Sequence, residues 1–141
     1  MDLTKEYPRS PNDRLMGIPM LPRTIDKARA ALAAKLGEYV YGNKSEFDKT
    51  LLEFLGLSQD EFLQGVRDSA DDAAMTRWLQ THGRKTTPAE ADDFARTFLN
   101  DGDDEADRAR FAARRAALPA PVQPRVKGWA DLLDVVEGRI S

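Results

Sequence analysis

Leu21-Pro22-Arg23-Thr24-Ile25-Asp26-Lys27-Ala28-Arg29-Ala30-Ala31-Leu32-Ala33-Ala34-Lys35-Leu36-Gly37-Glu38-Tyr39-Val40-Tyr41 decides the fold class of this chain. Pro22 cannot sit in a helix interior, and Thr24 is a residue type that accepts a backbone N–H as N-cap. Asp26 then falls in a first turn, where the helix dipole favours a carboxylate. Ile25, Ala28, Leu32, Leu36 and Tyr39 recur at spacings of three and four, which predicts one apolar helical stripe. Gly37 can adopt the left-handed conformation that closes a helix. Tyr39-Val40-Tyr41 fits either the last turn of that helix or a short extended segment, since it is aromatic and β-branched.

Outward from this stretch the punctuation is frequent. Upstream, Tyr7-Pro8-Arg9-Ser10-Pro11 and Met16-Gly17-Ile18-Pro19-Met20-Leu21-Pro22 hold too many prolines for a helix and predict an extended arm. Its apolar group Leu15, Met16, Ile18, Met20 and Leu21 predicts that the arm packs on the domain. Downstream, Gly42-Asn43 marks a turn, and Ser45 starts a helix that Gly56 ends. Ser58 and Glu61 form a capping box, with Leu57 and Phe62 spaced as the hydrophobic staple across it. Ser69 is the candidate cap of a helix running to His82 and stopped by Gly83. Thr87-Pro88-Ala89-Glu90 is a second capping box with proline at the first helical position. Asn100-Asp101-Gly102-Asp103 breaks that helix, and a polar one follows from about Asp104 to Leu118. Pro119, Pro121 and Pro124 then impose a connector, before Trp129, Leu132, Leu133, Val135 and Val136 form a final apolar segment.

No stretch alternates long enough to predict a sheet, and no repeat appears. The expected fold is all-α: one compact domain of five or six short helices with an extended proline-rich N-terminal arm. The expected division is an arm at 1–22, a helical core at 23–118, and a connector with a docking segment at 119–141. A chain of 141 residues can bury roughly two thirds of its unfolded surface. With 41% hydrophobic and 32% charged residues it reads as a solvated globule rather than a disordered chain.

The absence of cysteine excludes disulfides, thiolate catalysis and cysteine zinc sites, and points to a reducing compartment. No apolar run approaches the ~20 residues of a membrane helix, and the proline-rich, acidic start is unlike a signal peptide. The expected location is cytoplasmic, with no membrane partner. Charge is uneven: nine acidic residues stand against Lys44, Lys49 and Arg67 between Glu38 and Asp72, and six basic ones against Glu105 and Asp107 between Glu105 and Lys127. Solvated helix faces account for such a pattern.

Few residues carry chemistry. The acidic run Asp101 to Asp107 fails the EF-hand spacing, because Ala106 and Ala112 stand where glycine and the bidentate glutamate belong. One histidine, His82, at a helix end is too little for zinc or a nucleophilic triad. Arg108, Arg110, Arg114 and Arg115 lack interleaved aromatics, so nucleic acid is not indicated as a partner. No cofactor or metal site is indicated. Arg23 is the exception. Just before a helix N-cap, its guanidinium and the free first-turn N–H groups could converge on one anion. Arg14, Glu38, Tyr39 and Tyr41 are the residues expected around it.

The same residues resemble a known family. Pro8-Arg9-Ser10-Pro11, Leu21 to Arg29, Leu36-Gly37-Glu38-Tyr39-Val40-Tyr41, Phe54-Leu55-Gly56-Leu57, Trp78-Leu79, Thr87-Pro88-Ala89-Glu90 and Asp131-Leu132-Leu133-Asp134 are similar to the bacterial "domain of unknown function 5069" family. In that family the turn after the tyrosines often carries cysteine, proline, leucine and aspartate, whereas this chain has Gly42 to Asp48 there. The resemblance implies a small cytoplasmic bacterial protein and transfers no catalytic residue.

Two functional expectations follow. The first is a non-enzymatic binding module that associates with a protein partner or with itself. The alternative is a small anionic-ligand-binding protein or cofactor-free enzyme with a site around Arg23, Glu38, Tyr39 and Tyr41. A concave pocket lined by those side chains favours the alternative, and an exposed patch favours the module.

Overall fold

The computed structural model describes every residue from Met1 to Ser141. The chain is mostly helical, and its one sheet is a two-residue hairpin of β1 (Arg14–Leu15) and β2 (Ile18–Pro19). Met16 (φ 56°) and Gly17 (φ 75°) make the connection, and positive φ at both positions is what a tight type I′ hairpin turn requires. The N-terminal segment therefore folds back on itself rather than running extended throughout.

The central helix, α1 (Leu21–Leu32), starts and stops where residue types give little warning. Met20 takes a left-handed conformation (φ 72°) as N-cap, and its N–H donates to the Pro11 carbonyl. Pro22 then occupies the first turn, where its missing N–H costs nothing. Thr24 is not the cap. It lies one turn in, its N–H donating to the Met20 carbonyl and its side chain fully buried. At the other end the helix stops at Leu32 and not at Gly37. The Lys35 N–H donates to the Ala30 carbonyl and the Ala34 N–H to the Ala31 carbonyl, with Ala34 at φ 55°. That bonding is a Schellman closure built on an alanine. Leu32, expected on the apolar stripe, is 37% exposed, while Ile25 and Ala28 are fully buried. Leu36 to Tyr41 are thereby released as a non-helical loop.

Because alanine tolerates left-handed backbone poorly and glycine does so at no steric cost, Ala34→Gly is expected to stabilise the protein by ~0.5–1 kcal/mol. Urea melts of the two proteins give the comparison. A loss of stability would mean that Ala34 does not close the helix as described.

The remaining helices follow local signals more closely. α2 (Glu46–Leu55) is capped by Ser45, whose hydroxyl accepts the Asp48 N–H, and closed by Gly56 at φ 69°. α3 (Gln59–Arg67) opens with the Ser58–Glu61 capping box, both bonds formed. α4 (Asp72–His82) is capped by Asp71 rather than Ser69. α5 (Pro88–Phe98) opens with the Thr87–Glu90 box, and α6 (Glu105–Ala116) is capped by Asp104. The connector contains a 3-10 turn at Gln123–Arg125, and the last apolar segment forms a seventh helix, α7 (Trp129–Val136), one more than the sequence count allowed. No helix is long and apolar enough to cross a membrane.

α1 lies against α3, α3 against α4, and α5 against β2. Gly65 permits the α3–α4 approach: a Cβ there would meet the Trp78 ring at 2.6 Å. Ile18, Leu21, Ile25, Leu51, Phe62 and Met75 are fully buried members of the main core. A smaller core joins Phe111 of α6 to Val122, Val126 and the inner face of α7. The α6 arginines serve it too, Arg115 stacking over Phe111 and Arg114 over Trp129.

Candidate functional site

Releasing the chain after Leu32 places Tyr39 over α1 and beside the end of α7. Between the N-terminal residues Leu3 to Tyr7, the 37–40 loop, α1, the start of α2 and α7 lies a cleft of about 1080 Å³. Arg23 and Lys27 line it from α1, one helical turn apart on the same face, and Glu137 lines it from beyond α7. Met20, Phe47, Leu133 and Val136 supply apolar wall. A smaller groove of about 290 Å³ shares Ser45, Phe47, Leu133 and Val136 and continues towards Trp129.

Two buried ion pairs lie at the cleft: Arg23 and Glu137 both line it, and Lys27 lines it with Asp48 buried behind. Arg23 grips Glu137 with two parallel bonds, Nη1 to Oε1 and Nη2 to Oε2, each 2.8 Å, and both side chains are under 5% exposed. Arg23 Nη1 also donates to the Arg9 carbonyl at 3.1 Å. Tyr39 covers the pair: its ring faces the guanidinium at 5.6 Å, and its hydroxyl donates to Glu137 Oε2 at 2.7 Å. Arg139 Nη1 adds a further donor to Glu137 at 2.6 Å. In the second pair, Lys27 Nζ stands 2.9 Å from Asp48 Oδ2, and the carboxylate is fully buried. Asp48 also accepts the Thr24 hydroxyl (2.9 Å) and the Gly42 N–H (3.0 Å), which fixes its plane.

Ionisation follows from these contacts. Burial alone would raise the Glu137 carboxyl, but donors from Arg23, Tyr39 and Arg139 bring it down to about 2. Burial, with Glu137 beside it, pushes the Tyr39 phenol up to about 12, so Tyr39 is a hydrogen-bond donor at neutral pH and not a base. Burial lowers Lys27, opposed by the Asp48 charge. Because the folded-state pKa of Glu137 lies below its ordinary value, its contribution is complete above about pH 4.5 and lost as pH falls towards 2. Urea melts between these pH values should therefore lose more stability in wild type than in Glu137→Gln. Equal losses would show that Glu137 is not held as the carboxylate.

Of the residues expected at a site, Arg23, Glu38 and Tyr39 line the cleft, and Arg14 and Tyr41 do not. Arg14 is exposed on β1. Tyr41 packs near Phe62 and donates its hydroxyl to the Gln59 carbonyl at 2.7 Å. Glu38 is exposed, without the burial its acid–base role would need. Nor does Arg23 stand before a helix start with a free guanidinium, since it is inside α1 and already holds a carboxylate. Asp26 is taken by Arg9, whose Nε donates to it at 3.1 Å while Nη1 donates to Asp72 of α4 at 2.6 Å. Sequence reasoning missed Lys27, Asp48 and Glu137. Lys27 had a signal, its spacing of four from Arg23 on one helix.

The N-terminal signature also finds its partners here. Ser10 donates to Asp134 at 2.7 Å, and Asn12 reaches Asp131 at 3.0 Å and Asp134 at 2.9 Å. Ser10 and Asn12 thereby tie the N-terminal segment to Asp131 and Asp134 of α7, far apart in sequence. A family model described as Domain of unknown function (DUF5069) matches residues 5–139, a span that contains both segments. No curated protein matches the chain.

Proposed function

The chain belongs to the DUF5069 family, whose function is unknown, and we propose that its cleft binds a small amphipathic molecule bearing one carbonyl or carboxyl oxygen. The observation that carries this reading is the pairing of a charge-balanced polar floor with an apolar wall in one concavity. Both buried cations are matched by carboxylates, so the floor offers spare N–H donors rather than spare positive charge. Lys27 has three donors and engages only Asp48 and, at 3.5 Å, Ser45. A neutral or singly charged oxygen suits that donor better than a phosphate would, because an added multiple charge in a balanced, low-dielectric site stays uncompensated. The apolar part of the ligand lies along Phe47, Leu133 and Val136.

Hexanamide tests the reading. In NMR titrations it should shift the amides of Arg23, Lys27 and Tyr39, and inorganic phosphate at the same concentration should shift them less. If hexanamide leaves these amides in place, the cleft is not a ligand site. The competing reading, a protein-interaction module, draws on Tyr7, Val40 and Val136, which are exposed at the cleft rim. It predicts concentration-dependent sedimentation that Val136→Asp abolishes.

A further inference from the structure

Lys27 is set apart from the other lysines. Lys5, Lys35, Lys44, Lys49, Lys85 and Lys127 are exposed, whereas Lys27 is 4% exposed and yet lines the cleft. Stability does not account for that placement, because a buried ion pair gains little over well-packed apolar residues of the same volume. A buried ammonium on a cleft wall beside a fixed carboxylate has a chemical use: burial favours the free amine, and the carboxylate is a proton acceptor within hydrogen-bond distance. Asp48 is rigid enough for this, held by Thr24 and the Gly42 N–H.

The geometry points to Lys27 as a nucleophilic amine that forms an imine with an aldehyde or ketone bound in the cleft. This rests on the ligand-binding reading above and narrows its ligand class. Asp48 Oδ2 takes one proton from the ammonium. The freed lone pair attacks the carbonyl carbon while the carbonyl π pair moves onto oxygen. A proton passes from nitrogen to that oxygen, giving a neutral carbinolamine. Asp48 returns its proton to the hydroxyl, the C–O bond breaks, and water leaves as the nitrogen lone pair closes the C=N bond. The sum is ammonium plus carbonyl giving iminium plus water, with no oxidant or reductant. The iminium keeps one positive charge beside Asp48, so the buried pair survives the reaction.

The test uses the full chain with hexanal and sodium cyanoborohydride, which reduces an imine to a stable secondary amine, followed by peptide mass mapping. Lys27 is expected to gain the mass of hexanal less one oxygen ahead of every exposed lysine, and hexanamide should slow modification at Lys27 alone. Lys27→Arg keeps a cation for Asp48 and should lose the preferential adduct. Should that variant not fold, the wild-type map and the hexanamide competition decide by themselves. Modification of exposed lysines with Lys27 spared, or reacting no faster than they do, overturns the imine. In that event hexanamide shifts at Lys27 and Tyr39 leave the ligand cleft standing, and their absence removes both.

Discussion

Arg23→Ala is expected to destabilise the protein by about 3–5 kcal/mol, the cost of stranding one member of a buried ion pair. The substitution leaves the Glu137 carboxylate 3% exposed with only Tyr39 and Arg139 as donors. It also opens the Arg9 carbonyl and removes the cation beneath the Tyr39 ring. Against a total stability of ~5–15 kcal/mol, a loss of that size is readily measured. Glu137→Ala should behave similarly, because it strands Arg23 instead. The double variant Arg23→Met, Glu137→Leu should lose far less than the two singles added, since apolar residues of similar volume restore packing without a buried charge. Urea denaturation of wild type and the three variants gives the comparison. If Arg23→Ala lies within about 1 kcal/mol of wild type, the pair is solvated and the cleft floor is not the dry, balanced surface described here.

The same ion pair bears on how far the site was legible in the chain itself. Arg23 and Tyr39 could be singled out because one stretch holds them both. Glu137 could not. It follows the last apolar helix by a single residue, 114 positions from Arg23, and nothing in one sequence joins the two. Asp26 reads from the sequence as a first-turn carboxylate and Lys27 carries no reading, yet α1 buries Arg23, Thr24, Asp26 and Lys27 along with Ile25 and Ala28. A helix buried on its polar face is possible only because Glu137, Asp48 and Arg9 arrive from elsewhere to match each charge. Periodicity reads one helix at a time and cannot register such partners.

The fold was legible wherever the signal was a local side-chain bond. Ser45, the Ser58–Glu61 box and the Thr87–Pro88–Glu90 start each make the cap their residue types announce, and Gly56 takes the left-handed closure. It was illegible where the backbone does something its residue does not advertise. Met20 and Ala34 are both left-handed, and they set the two ends of α1. Ser69 and Asp71 are equally good caps on paper. The structure spends Asp71 on the Ala74 N–H, while Ser69 is buried and its carbonyl accepts Arg29. The two-residue hairpin lies below any length at which alternation can be detected.

Phe62→Ala is expected to cost about 3–5 kcal/mol, the loss on removing a fully buried aromatic ring whose surroundings relax only in part. Phe62 sits on α3 where that helix meets α1, and its ring lies 6.4 Å from that of Tyr41. Leu57, on the far side of the capping box, is only 8% exposed, so the cavity would open between elements already fixed by hydrogen bonds and could not easily collapse. Leu32→Ala is the informative contrast. The side chain is of the same apolar class and lies on the helix whose apolar residues recur at spacings of three and four. At 37% exposure on the final turn of α1, however, it has less burial to lose, and its removal should cost about 1–2 kcal/mol. Both variants should lower the urea midpoint with the slope unchanged, since neither alters how much surface unfolding exposes. Phe62 does not line the cleft, so hexanamide should still shift Lys27 and Tyr39 in the folded fraction of Phe62→Ala. Equal losses for the two variants would place α1 wrongly on the core. They would also undo the early helix end that brings Tyr39 to the cleft.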